Sequence, residues 1–284
     1  MIASDTNAAA DIPVIRIEPS TSRLPAVTLN ELWEYRELLY FLVWRDVKVL
    51  YKQTAIGASW AIVQPLLTMV IFTVVFDRFA KMPSDGLPYP IFSYTALLPW
   101  TYFSKALNQS IQSVVHNSNL ITKVYFPRPL LPISAILSGI IDFGISFVFL
   151  ISMMIWYGIM PGWGTLFLPG FVLMTILTAL SISLWLSAIN VRYRDVGQAI
   201  PFLIQIWMFA SPVAYPVSVV PENWRLLYSL NPMVGVIEGF RWALLGKATP
   251  EILPIVISIA VVLALLFSGM VFFKRMEETF ADVV

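Results

Sequence analysis

Residues 143–191 read FGISFVFLISMMIWYGIMPGWGTLFLPGFVLMTILTALSISLWLSAINV, without one charged side chain. A helix needs about 20 apolar residues to cross the hydrocarbon of a bilayer, so this stretch is too long for a single crossing. Gly158, Pro161, Gly162 and Gly164 divide it. Trp156 and Trp163 flank that turn, as an aromatic belt at a membrane surface would. Two spans follow, 129–157 with Asp142 inside it and 165–190, the second closed by Arg192, Tyr193, Arg194 and Asp195.

The same reading extends both ways. Residues 53–76 carry no charge and form a first span; 77–90, with Pro83, Gly86, Pro88 and Pro90, form a short turn. The second span, 91–115, is unusual. Lys105, Asn108, Gln109, Gln112 and His116 recur at steps of three and four, which sets them in one stripe along a helix. Such a stripe is costly against lipid, so it faces protein, a water-filled path or the headgroup region. A fifth span is read at 196–215 and a sixth at 252–273, ended by Lys274 and Arg275, with 274–284 as a short tail.

Composition agrees. Of 284 residues, 58% are hydrophobic and 12% charged, and mean hydropathy is +0.77. Soluble domains run at about 45–50% and about 25%. A soluble enzyme, a disordered chain and a nucleic-acid binder are excluded, the last for want of a basic surface. Net charge is +1, cysteine is absent and histidine occurs once, so thiolate chemistry and a Cys or His-rich metal site are excluded too.

Two regions are neither span nor turn. Residues 29–52 are amphipathic at helical period. Leu32, Leu39, Val43, Val47 and Leu50 share one side; Glu31, Glu34, Arg45, Lys48 and Lys52 share the other, and Asn30 is placed as N-cap. A helix of this kind beside a span lies in the interface plane. Its basic residues Arg45, Lys48 and Lys52 attract anionic lipid at about 1 kcal/mol each, or meet a pyrophosphate headgroup or a partner subunit. Residues 216–251 carry Glu222, Arg225, Glu238, Arg241, Lys247 and Glu251 among aromatics that include Trp224, Tyr228 and Trp242. Two short helices fit there, 221–230 and 232–245, the latter capped by Asn231 with Pro232 at its first position. They are too charged to span and too apolar for water, and are placed half-inserted at the membrane surface. Residues 1–28, with Pro13, Pro19 and Pro25, show no basic-then-apolar leader pattern and are read as a mobile tail.

Lys and Arg concentrate in the segments that share a side with both termini: 16–52, 123–128, 192–194 and 274–275. By the positive-inside rule that side is cytoplasmic. The fold expected is all-α and integral to the membrane, with six transmembrane helices, an N-terminal interface helix and short re-entrant helices before the last span.

The chemistry is that of a conduit. A phosphate-binding loop needs G-x-x-x-x-G-K-[ST]. The one Gly-Lys pair, Gly246 and Lys247, is followed by Ala248, and Arg241 stands where the first Gly belongs. ATP hydrolysis is therefore not expected of this chain. Asp142 and Lys105 are the ionisable residues at depth; they are read as pairing with each other, or else as a transport element. Trp100, Tyr102 and Trp207 offer ring faces either to helix packing or to sugar units sliding past.

Four motifs in order carry a resemblance: WRDVKVLYKQTAIGASW at 44–60, PRPLLP at 127–132, NVRYRDV at 190–196 and YSLNPM at 228–233. Together they resemble the membrane subunit of bacterial ABC exporters for surface polysaccharides, the type-2 permeases of the O-antigen, capsule and teichoic-acid group, over residues 29–275. The resemblance implies a second copy of the chain and two ATP-binding cassette subunits, with no cofactor here and ATP and Mg on the partner. It implies a multi-pass protein of the bacterial inner membrane, moving an undecaprenyl-pyrophosphate-linked polysaccharide. It makes 116–124 a coupling helix on the ATPase, with His116, Asn117, Asn119 and Lys123 as contacts and Arg192 and Arg194 as a second contact. It makes 216–251 an external gate that includes Trp224, Tyr228, Glu238 and Arg241. The path is assigned to Lys105, Asn108, Gln109, Gln112, Trp100, Tyr102 and Trp207, and the pyrophosphate to Arg45, Lys48 and Lys52. Alternatives are a type-2 permease for a drug or another lipid, and a self-powered secondary transporter; the latter would show internal repeats, and none is evident. A membrane-embedded transferase lacks the clustered acids it would need.

Overall fold

The computed structural model describes residues 33–52, 57–246 and 252–283. The expected mobile tail, the Asn30 cap, residues 53–56 of the first span, and Lys247 and Glu251 of the gate region lie outside the described residues. Every regular element among the described residues is helical. In chain order these are α1 Arg36–Lys52, α2 Trp60–Phe72, α3 Tyr89–His116, α4 Ser118–Lys123, α5 Leu130–Ser138 and α6 Ile140–Trp156. Then come α7 Leu168–Arg192, α8 Asp195–Phe209, α9 Glu222–Tyr228, α10 Pro232–Leu245 and α11 Ile252–Val283.

Among the described residues, four segments are long and apolar enough to cross a membrane: Trp60–Phe79, Leu130–Trp156, Trp163–Arg192 and Ile252–Glu277. The first continues α2 into a π-helix, Thr73–Phe79. The second joins α5 and α6 across Gly139, where an added Cβ would stand 3.2 Å from the Tyr102 ring. The third begins in a 3-10 turn, Trp163–Phe167. Two elements expected as spans depart from that pattern, and each for a visible reason.

α3, at 28 residues, is long enough, about 42 Å at 1.5 Å per residue, but its polar stripe lowers its hydropathy. It is the hub of the fold instead. Residues 91–100 are buried without a break, and α3 packs on α2, α5, α6, α7, α8 and α10. Its polar stripe, 105–116, lies beyond that buried stretch and is half-buried to exposed. α8 is shorter than the fifth span read from sequence, with 15 residues or about 22 Å. It stops at Phe209 because Pro212, three residues on, supplies no N–H and restricts the residue before it. The buried turn Ser211–Ala214 follows.

Residues 252–273 were expected to end at the basic pair, yet α11 runs to Val283. Arg128 holds it there. Its backbone N–H donates to Glu277 Oε1 at 3.3 Å, its guanidinium donates to the Glu277 carbonyl, and it stacks 5.8 Å over Phe280. Phe280 then completes a second core with Leu42 of α1, Val114 of α3, Ile121 of α4, Leu131 of α5 and Val191 of α7. α1, α4, the end of α7 and the end of α11 therefore share one end of the bundle.

The two short helices appear as read, but α10 is not half-inserted at a surface. It is buried nearly throughout, against α3, α7 and α11. Gly235 and Gly239 explain this. A Cβ on Gly239 would meet the Phe171 ring at 2.1 Å, and one on Gly235 would meet Ser258 at 2.7 Å. Small residues four apart let α7 and α11 close on α10 from both sides. Asn231 caps α10 as expected, accepting from Met233 N at 3.1 Å; Gly246, at φ +65, ends it.

Outward-facing apolar side chains are abundant on α2 (Leu67, Val70, Ile71), α8 (Phe202, Leu203, Ile206) and α11 (Val256, Leu263, Phe267). In a water-soluble monomer such patches would be anomalous; here they are the lipid and protein contacts of a membrane bundle.

Candidate functional site

The polar stripe of α3 faces a cleft of about 380 Å³ between α1, α3 and α5, within the size range of small-molecule sites. Asn108, Gln109, Gln112, Ser113, His116 and Asn117 line one wall, Arg45, Asp46, Val49 and Leu50 the second, and Ala135 and Ser138 the third. Two expectations formed separately, a polar path on the second span and an anion contact on the interface helix, thus meet in one place. Arg45 bonds Asp46 at 2.8 Å, and Asp46 accepts from Ser134 at 3.3 Å, which fixes that wall to α5. Gln112 donates to Asn108 at 3.3 Å. Gln109 Oε1 is buried and has no partner among the described residues. Amide groups that both donate and accept, beside one guanidinium, suit hydroxyls and phosphate oxygens. Lys48 and Lys52 stay outside this cleft: both are exposed, and Lys48 lies 5.5 Å over the Trp44 ring.

Lys105 continues the stripe but points elsewhere. It forms an ion pair with Asp142 of α6, as the sequence suggested, and Tyr51 of α1 also donates to that carboxylate. Tyr102, with Gly139 and Trp60, borders a cavity of only about 40 Å³ beside the pair, room for water but not for a headgroup. Burial first, then the bond to Asp142, push the Tyr51 hydroxyl well above the ordinary phenol range, so it remains a donor at any physiological pH.

The aromatic candidates divide. Trp100 is buried, its ring 5.5 Å from Phe103 and 6.5 Å from Trp207, so it packs helices. Trp207 donates to Asn231 at 3.0 Å and lines a separate pocket of about 330 Å³ with Trp224, Leu227 and Tyr228. Tyr228 donates to Tyr215 at 3.0 Å. Beneath them Arg241 is 7% exposed. It bonds Glu238 and the Val213 carbonyl, both at 3.1 Å, and covers the Phe92 ring at 3.6 Å. Glu238 and Arg241 are therefore a packed strut between α10, α3 and the 211–215 turn.

The remaining candidates sit at the end of the bundle where α1 and α11 meet. His116, Asn119 and Lys123 are exposed on or beside α4, and Asn117 donates to Ser113 at 2.7 Å, closing α3. Arg192 and Arg194 are exposed at the α7–α8 corner. Sequence reasoning missed what holds that corner. Asn190, buried, accepts from Gly197 N at 2.8 Å and donates to the Ile111 carbonyl at 3.2 Å, tying it to α3. An asparagine at the last turn of an apolar helix was the available signal.

Comparison with known proteins finds relatives that match most of the chain. The sequence pattern of the ABC-2 type transporter family matches residues 37–245. The O-antigen export system permease protein RfbA of Myxococcus xanthus is 30% identical over 259 residues, 90% of this chain and 98% of that one. The protein of the same name from Klebsiella pneumoniae is 25% identical over 253 residues, 87% and 95% of the two chains. The polysialic acid transport protein KpsM of Escherichia coli is 23% identical over 239 residues, 82% and 91%.

Proposed function

The chain belongs to the ABC-2 type transporter family, and from that premise we propose that it is the permease of an exporter for a lipid-linked surface polysaccharide. It lies in the bacterial inner membrane. Six crossings are assigned to α2, α3, α5–α6, α7, α8 and α11, with both termini cytoplasmic. Two copies pair with two ATP-binding cassette subunits, which bind ATP and Mg and do the hydrolysis. The observation that carries the reading is the cleft that joins Arg45 of the interface helix to the amide stripe of α3, in a chain whose relatives are named for O-antigen and polysialic acid.

In this mechanism the polyprenyl diphosphate end of the cargo enters from the cytoplasmic leaflet beside α1. Lys48 and Lys52 draw it electrostatically, and Arg45 meets it in the cleft. Asn108, Gln109 and Gln112 give hydrogen bonds to whatever passes. α4 and the Arg192–Arg194 corner receive the ATPase stroke. The pocket of Trp207, Trp224 and Tyr228 is the outer gate, with Glu238 and Arg241 as its support. A type-2 permease for another lipid would share the architecture; the names of the relatives favour polysaccharide.

Gln109→Leu with Gln112→Leu, both on the cleft wall, is expected to abolish surface polysaccharide while the protein still assembles with its ATPase. Immunoblotting of polysaccharide and co-purification in mild detergent check this; normal polysaccharide from that variant would sink the lining assignment. Orientation has its own test, since the chain lacks cysteine. Met160→Cys, 90% exposed, should react with an impermeant maleimide in intact spheroplasts, and Tyr125→Cys, 73% exposed, only after lysis. The reverse pattern would invert the topology.

A further inference from the structure

The charge cluster of Lys105, Asp142 and Tyr51 stands beside the cleft, at a separate cavity of about 40 Å³. Along α3, Lys105 stands one turn from Asn108 and Gln109. Along α1, Leu50 lines the cleft while its neighbour Tyr51 reaches Asp142. At the break between α5 and α6, Ser138 faces the cleft and Gly139 the cavity around Lys105. Three elements thus converge on one carboxylate, 15% exposed, next to a polar cleft. Lys105 is the only lysine or arginine on α3, and it is 39% exposed, so it is paired but not enclosed.

A lysine held by a carboxylate is masked from other anions. An incoming phosphate can exchange with that carboxylate, because each offers several charged acceptor oxygens to the ammonium. A neutral sugar or a prenol cannot. The lysine stem is flexible, with three rotatable donors. What ordinarily forbids the exchange is the stranded carboxylate left behind. Here Tyr51 still donates to Asp142 after Lys105 turns away, and it does so from the interface helix that forms the cleft wall.

Resting on the exporter reading above, we propose that Lys105, masked by Asp142 in the unloaded protein, turns into the neighbouring cleft as a second diphosphate-binding position. Asp142 is a positioning residue that masks Lys105 until an anion with several charged oxygens displaces it. Tyr51 is a positioning residue that lets the exchange proceed, by keeping Asp142 bonded when Lys105 leaves it. Asp142 and Tyr51 therefore act in opposite directions on affinity, which a purely structural cluster does not do.

The test is native mass spectrometry of the full chain titrated with a polyprenyl diphosphate, with the neutral polyprenol and inorganic pyrophosphate as separate probes. Asp142→Asn is expected to bind the polyprenyl diphosphate about tenfold tighter than the unaltered chain, since the unmasked state is no longer a minor one. Tyr51→Phe, which removes one oxygen and leaves the ion pair, is expected to bind it several-fold more weakly. Adding Lys105→Gln to Asp142→Asn should cancel the gain, and polyprenol binding should not change. The same gain with inorganic pyrophosphate supports a site that reads the diphosphate alone; a gain confined to the polyprenyl form supports one that reads the lipid as well. Equal affinities, or weakening by both single variants, would overturn the masking while leaving the exporter reading intact. No binding of polyprenyl diphosphate by any form would overturn both. If Asp142→Asn does not fold, Asp142→Ser, which also removes the charge, takes its place with the same expected gain.

Discussion

Arg241→Leu is expected to lower the stability of the purified protein by about 3–5 kcal/mol, the usual cost of breaking a buried charged contact from one side. The guanidinium is 7% exposed and serves Glu238, the Val213 carbonyl and the Phe92 ring face at once. Its loss strands two partners and removes the contact that seats the 211–215 turn against α3. Lysine does not replace it, because a point charge cannot fork between a carboxylate and a carbonyl. Glu238→Gln should cost much less, about 1 kcal/mol, since that side chain is 30% exposed and the amide still accepts. Thermal unfolding in detergent, followed by far-UV ellipticity, separates these cases; an unchanged midpoint for Arg241→Leu would refute the strut. Export should fall in parallel, because the turn leads into the Trp207 pocket.

The second large effect concerns the approach of α10 to its neighbours. Gly235→Leu is expected to disrupt the packing of α10 severely. Its Cβ alone would stand 2.7 Å from Ser258, whose hydroxyl donates to the Ser229 carbonyl at 3.1 Å. Neither the main chain nor that short side chain has room to yield. Overpacking of this kind costs about 1–3 kcal/mol even for an added methyl or methylene, so the full leucine should prevent assembly of α10 with α11. Gly239→Ala should be milder despite the shorter 2.1 Å contact, because the obstacle is the Phe171 ring, which borders an apolar groove of about 350 Å³ into which it can swing. Gly144→Leu is the control: nothing lies within 4 Å of its added Cβ. Yield of monodisperse protein across the three variants tests the order, and a Gly235→Leu protein as stable as Gly144→Leu would refute it.

Much of this architecture was legible in the chain. The turn cut by Gly158 and Gly162, the short helices before the last span and the Asn231 cap are local signals: a breaker, a periodicity, a side chain that satisfies orphan N–H groups. The pairing of Lys105 with Asp142 was legible because an unpaired charge at depth is too costly to leave. What periodicity could not give was the partner of each face. The α3 stripe demanded a polar neighbour, and only the folded chain shows that neighbour to be α1, with Arg45 in the same cleft. Placing α10 at a surface was an inference from its charges. Arg241 and Glu238 neutralise each other, and two glycines then allow burial that net polarity argued against. The short α8 and the long α11 have different causes: Pro212, three residues on, halts one, and contacts with Arg128, distant in sequence, extend the other. The motifs 44–60, 127–132, 190–196 and 228–233 also look different in three dimensions. Tyr51, Arg128, Asn190 and Asn231 each fasten one helix to another, so a signature read as functional is in large part a set of fasteners.

The second core cluster has a bearing on how the protein is made. It needs Leu42 and Phe280 together, residues from opposite ends of synthesis. At about 5–20 residues per second on the ribosome, Leu42 waits tens of seconds for Phe280. Through that interval Ile121, Leu131 and Val191 have emerged with their common covering absent. The nascent protein is thus left open at one end until α11 is released, and a chain cut shortly before Phe280 would keep all of its spans yet never close that end.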